Sequence, residues 1–386
     1  MVMGTYAQEP TGYQARINDL LAYANYAERD EIEFEIIPLS VVDNNSPDES
    51  EHTVRYSSGS RLIRLIGSFR TLLRERPDAD IIHLTLLPWY TLPLLGASVG
   101  KPLVFGPNIG SNLPLSVYDE KTQEVIRSVD PSEARRRNLY ADRIETLKVK
   151  LTNLSLLGPV RYLSFSDWTA EAGLHRRGVP AEQVTILPYG VRQDIFYPPK
   201  SPKSGRNDSV CIFAPPDRAQ TKGLKVLLEA VSELPSSLDD LSVNVIGSDS
   251  PPSTSWADDE TIREKFNFVG RVSRKNLREQ YINSDVLILP SYSEAGPNVM
   301  YEAIACGVPV IATEGDVFRS HAVGDYTLFF ERGDSPSLAS RIVEFYDTPD
   351  RYWDAAYQTA SRYDIKEVYD TLLSEYKTML KQSHNS

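Results

Sequence analysis

The chain is expected to be an α/β protein made of two Rossmann-like domains, and three observations predict it: short apolar runs alternating with helical patterns, a proline- and serine-rich break near the middle, and a length of 386 residues. Alternation of this kind marks parallel sheets covered by helices, because parallel strands must be joined by a crossover long enough to hold a helix. A prior of about 150 residues per domain gives two or three domains. Hydrophobic residues make up 41% of the chain, which suffices for ordinary cores.

In chain order, the runs Phe34–Leu39, Ile81–Leu84, Leu103–Phe105, Tyr162–Phe165 and Val184–Leu187 predict strands in the first half. Val210–Ala214, Val243–Ile246, Phe266–Val269, Asp285–Pro290 and Pro309–Ala312 predict strands in the second. Helices are expected over Tyr13–Tyr23, Arg61–Arg76, Leu224–Leu234, Asn298–Cys306 and Lys366–Leu380. Met1–Thr5 leaves only the end of a strand before Pro10-Thr11-Gly12, so a truncated first strand is expected. Pro198 to Arg206 carries no apolar side chain beyond proline and reads as an interdomain linker. The expected domains are therefore 1–198 and 199–365, followed by a terminal helix over 366–386. The polar stretches Asp43–Ser58 and Ser248–Glu260 read as surface loops.

Composition removes several classes of function. No run of eighteen apolar residues exists, and the N-terminus lacks the basic region and apolar core of a signal peptide, so a cytoplasmic protein is expected. The formal charge of −12 argues against nucleic acid as a partner. Cys211 and Cys306 lie in apolar surroundings and read as small buried hydrophobes rather than as a disulfide or metal pair. The helix Arg61–Arg76 alternates arginine with apolar residues, and Arg135-Arg136-Arg137 follows. Packing with a solvated arginine face is favoured there, with peripheral contact at the inner membrane face left open.

Chemistry concentrates between Asp285 and Thr313. After the apolar run, Gly296 lets backbone approach a ligand closely, Pro297 suits a first helical turn, and Asn298 and Val299 begin a helix that Gly307 ends. The unpaired N–H groups and partial positive charge of such a helix start favour a diphosphate. Glu302, about one turn inside, can accept two hydrogen bonds from a ribose diol, while Glu294 on the preceding loop would face the sugar that the diphosphate carries. Asp217 to Gly223 follows the first strand of the second half and precedes a helix, the position of a diphosphate clamp. Asp78-Ala79-Asp80 has the spacing of a metal-binding pair but opens a strand rather than ending one, so no metal is expected.

Glu294-Ala295-Gly296-Pro297-Asn298, Glu302-Ala303 and Cys306-Gly307-Val308-Pro309-Val310 resemble the signature of the retaining GT-B glycosyltransferases of family four, in which seven residues separate two glutamates. Ile186 to Pro198 resembles that family's hinge, with Tyr189 and Arg192 in place of the usual Asn and Asp. The resemblance implies two Rossmann-like domains facing across a cleft, with a last helix crossing back to the first. It further implies transfer of a sugar from a nucleotide-diphosphate sugar, as donor substrate and without a cofactor, to a glycan, lipid-linked or other hydroxyl acceptor. Lys222 and Arg218 are its nearest candidates for the diphosphate grip, although their spacing is one residue shorter than the family's. Gly12 stands where the family has a Gly-Gly loop, although a plain turn glycine explains it almost as well, and Asn108 stands where many relatives have a histidine. His83 reads as a satisfied strand histidine rather than a catalyst. These departures keep open a non-catalytic partner subunit of the same fold, or another GT-B enzyme such as a sugar-nucleotide epimerase.

Overall fold

The computed structural model describes residues 2–6, 35–41, 53–54, 79–84, 100–106, 114–118, 120–129, 131–136, 139–152, 158–253, 260–294, 296–321 and 324–384, with Asp19 and Tyr23. Two compact units emerge: Met1–Pro114, Arg137–Gly190 and Ile365–Ser386 form the first, and Leu115–Arg136 with Val191–Asp364 the second.

The first unit holds β1 (Val2–Tyr6), β2 (Glu35–Val41), β3 (Thr53–Val54), β4 (Ile82–Leu84), β5 (Leu103–Phe105), β6 (Val160–Ser164) and β7 (Val184–Ile186). They make one sheet in the order β3-β2-β1-β4-β5-β6-β7, every pairing parallel. The strand expected to be shortened runs for 5 residues and pairs on both sides. β3 falls within a stretch expected to be loop. The expected helices Tyr13–Tyr23 and Arg61–Arg76 lie outside the described residues, apart from Asp19 and Tyr23. The terminal helix, Ile365–His384, repeats apolar residues at helical spacing and lays Ile365, Val368, Tyr369, Leu372, Tyr376 and Met379 against Ile81, Val104, Leu163 and Leu187.

The second unit holds β8 (Ser209–Phe213), β9 (Ser242–Ile246), β10 (Phe266–Gly270), β11 (Val286–Leu289), β12 (Val310–Thr313) and β13 (Thr327–Phe330). Their order is β10-β9-β8-β11-β12-β13, again all parallel. The chain winds outward from β8 to one edge, returns to the middle at β11 and winds to the other edge. That reversal makes the loops after β8 and β11 neighbours, the place where open parallel sheets bind ligands.

The expected linker is a stitched segment of the second unit. Lys203 Nζ sits 2.9 Å from an Asp285 carboxylate oxygen and donates to the Ser284 carbonyl at 3.1 Å. Asp285 is fully buried, and its carboxylate also accepts from Asn207 N at 3.0 Å, Ser209 N at 3.2 Å and the Tyr346 hydroxyl at 3.0 Å. Proline and serine content signalled a free linker; a single lysine reaching a buried acid overrides it. The chain passes between the units at Pro114/Leu115, Arg136/Arg137, Gly190/Val191 and Asp364/Ile365, and next to the last two Val191 bridges Asp364 and Val191 N donates to the Tyr363 carbonyl at 2.7 Å. The grouping of Leu115–Arg136 with the second unit is a further difference from the expected boundary.

Asp285→Ala is expected to cost about 3–5 kcal/mol, because it leaves the Lys203 ammonium and two backbone N–H groups without their acceptor. Urea denaturation checks this, and a loss below about 1 kcal/mol would show that the 203–209 segment is held by packing alone.

Candidate functional site

The loop after β8 begins at Ala214-Pro215, makes a 3-10 turn at Pro216–Arg218 and enters the helix Leu224–Ser232 through Gly223. Gly223 adopts φ 75°, a left-handed conformation that glycine takes without cost. A β-carbon there would stand 2.0 Å from the Pro290 carbonyl oxygen, so the β8 loop and the end of β11 meet backbone to backbone. Tyr292 N donates to the Thr221 carbonyl at 3.0 Å and fixes the same approach.

The loop after β11 runs from Pro290 to the helix Asn298–Ala305. Pro297 is that helix's N-cap rather than its first residue, and no side chain caps it. Lys222 Nζ forms an ion pair with Glu294 Oε1, joining residues 72 apart in sequence, with their side chains 14% and 13% exposed. Arg218 is exposed on the 3-10 turn. Glu302 is 6% exposed on the inner side of its helix.

Each oxygen of Glu302 faces a different group. Oε2 accepts from the Tyr281 hydroxyl at 3.1 Å, and Oε1 lies 3.8 Å from Arg274 Nη2. Burial, followed by the charge of Glu302, raises the Tyr281 pKa well above its ordinary value, so the hydroxyl keeps the proton it donates. Arg274 and Tyr281 both belong to the helix Arg274–Asn283, about two turns apart on one face. The sequence reading passed over both; their spacing on the helix that follows β10 was the available signal.

Arg332 was also passed over. Its Nη1 donates to the Tyr292 carbonyl at 2.9 Å and its Nη2 to the Glu314 carbonyl at 3.3 Å, tying the loops after β11, β12 and β13 together. Its guanidinium lies 5.8 Å from the Tyr118 ring centroid, and the Tyr118 hydroxyl meets Ser293 Oγ at 3.2 Å.

Gly12, Asn108 and Asp78 lie outside the described residues, and Asp80 is exposed ahead of β4. Among the described residues no group of three or more His, Cys, Asp or Glu is arranged to hold a metal. Cys211 and Cys306 are buried free thiols, and burial pushes Cys211 up to about 12 and Cys306 upward too, which leaves neither as a nucleophile. His83 is satisfied on both ring nitrogens. The Gly106 carbonyl, 2.8 Å away, can only accept, so Nε2 carries the proton and Nδ1 accepts from the Tyr376 hydroxyl at 2.7 Å.

Two open parallel sheets, the second with its polar groups at the reversal point, define the GT-B fold, and structural comparison agrees. Sucrose-phosphate synthase from Thermosynechococcus elongatus superposes with a TM-score of 0.70 at 17% identity, covering 99% of each chain. Anabaena HepE in complex with UDP superposes at 0.67 with 14% identity, over 98% of this chain and 99% of that one. In sequence, residues 200–362 match the family described as glycosyl transferases group 1. The phosphatidyl-myo-inositol mannosyltransferase of Mycobacterium leprae is 28% identical over 170 residues, 41% of this chain and 43% of that protein. The chain spans about half the length of the curated relatives it matches.

Burial, the largest cause, lowers His83 to about 4 despite the opposing bond to Gly106. The folded value lies below the unfolded one near 6.5, so the unfolded chain binds more protons between the two. Stability is therefore expected to fall as pH drops from about 6.5 to 4, by on the order of 3 kcal/mol from this group. Denaturation of wild type and His83→Asn across that window checks it: the variant should show a shallower decline, and parallel curves would remove His83 as the cause.

Proposed function

We propose that the chain is a retaining glycosyltransferase that moves a sugar from a nucleotide-diphosphate sugar to a glycan, lipid-linked or other hydroxyl acceptor. The observation that carries this reading is the Lys222–Glu294 ion pair, which joins the loops after β8 and β11 at the reversal point of a glycosyl transferases group 1 domain. In it the diphosphate lies at Lys222, Arg218 and the Gly296–Val299 turn, displacing Glu294 from Lys222, so that the freed carboxylate faces the sugar. Glu302, oriented by Tyr281 and Arg274, takes the ribose diol. The acceptor belongs to the first unit, and Gly12 and Asn108 complete the donor side of the site, Gly12 near the donor phosphate and the acceptor and Asn108 toward the sugar.

Rate in this reading comes from electrostatics. Negative charge grows on the departing diphosphate, and a fixed ammonium stabilises it more in the transition state than in the bound donor. The acceptor hydroxyl passes its proton to the leaving phosphate, which needs no separate base, and the cations take the place a divalent metal holds elsewhere. No described helix is long and apolar enough to cross a membrane.

Turnover assays with a panel of nucleotide sugars test the reading. Lys222→Ala should lower turnover by about two to three orders of magnitude. Glu302→Gln should weaken donor binding, since each ribose hydrogen bond to a carboxylate is worth about 1.5–3 kcal/mol. Transfer should persist in EDTA. Unchanged donor affinity in Glu302→Gln, or activity that EDTA abolishes and Mg²⁺ restores, would contradict the assignment.

A further inference from the structure

Ser291 follows Pro290 at the carboxyl end of β11 and is 1% exposed. Its hydroxyl finds no hydrogen-bond partner among the described residues. Buried polar groups are almost always paired, and one left unpaired is a standing cost to the folded state.

The backbone around Ser291 is fixed on every side. Before it, the Pro290 carbonyl presses against Gly223, and the Leu289 carbonyl accepts from Thr313 Oγ1 at 3.3 Å. After it, Tyr292 N donates to the Thr221 carbonyl at 3.0 Å and the Tyr292 carbonyl accepts from Arg332 at 2.9 Å. Ser291 is thus clamped between two contacts to the turn that carries Lys222.

We propose that Ser291 is a donor-site residue whose hydroxyl is kept for a phosphate oxygen of a nucleoside diphosphate. This rests on the reading of the second unit as the nucleotide-sugar domain. Lys222 supplies charge without much direction, whereas a hydroxyl supplies one directed proton, and a bond to an anionic oxygen is stronger than one to a neutral acceptor. The unpaired hydroxyl raises the free energy of the empty site, and the ligand removes that cost on binding. Both effects add to affinity for the diphosphate.

UDP, GDP and ADP are titrated calorimetrically into the full chain and into Ser291→Ala, with melting temperatures recorded for both. The variant should bind at least about tenfold more weakly. Its melting temperature should stay the same or rise, because it removes a hydroxyl that has no partner. Equal affinity, or a weaker affinity accompanied by a lower melting temperature, would overturn the proposal, the latter by showing that the hydroxyl holds the fold. If Ser291→Ala does not fold, Ser291→Cys, of similar size but a weak donor, takes its place with the same expected outcomes. A folded wild type that binds none of the three diphosphates would overturn the nucleotide-sugar reading itself, and Ser291 with it; binding by wild type with equal affinity in the variant overturns Ser291 alone.

Discussion

The backbone of Gly223 comes so near Pro290 that a β-carbon would stand 2.0 Å from its carbonyl oxygen, and the meeting of Lys222 with Glu294 depends on that approach. It brings the loop after β8 onto the loop after β11, so Lys222 starts within reach of Glu294. Neither loop could sit there with a side chain at position 223. The approach depends in turn on the order of the sheet, because β8 and β11 pair directly although β9 and β10 intervene in sequence.

Three carboxylates in the second unit show how burial and partners divide roles. Asp285 is fully buried and saturated by Lys203, Asn207, Ser209 and Tyr346, which makes it an anchor with no capacity left for a ligand. Glu294 is paired with Lys222, and in the proposed reading an incoming phosphate competes for the same cation. Glu302 has Oε2 held by the Tyr281 hydroxyl and Oε1 3.8 Å from Arg274 Nη2, so a tyrosine and an arginine from one helix orient it.

Much of the fold was readable because buried parallel strands are continuous apolar runs with sharp ends: every strand expected in the second half is present within two residues of its reading. β13 escaped because Thr327–Phe330 is an edge strand, only half-buried over most of its length, and its run is short. The positions of Glu294, Glu302 and Lys222 on loop and helix were readable because local sequence, a glycine turn before a helix, carries their placement. Arg274, Tyr281 and Arg332 were not, since each matters through a contact far away in sequence. The same limit explains the linker: composition at 198–206 is that of a free segment, and only the fold brings Asp285 beneath Lys203. It also explains why Leu115–Arg136, embedded in the sequence of the first unit, groups with the second.

The central claim is that the turns at 221–224 and 296–301 form one nucleoside diphosphate site. Hydrogen exchange of the full chain, followed by mass spectrometry with and without saturating UDP or GDP, tests it most directly. The account predicts slowed exchange in both turns together, with Gly223 and Val299 amides protected in the same titration. Binding accompanied by protection in only one of the turns, or in neither, would contradict it.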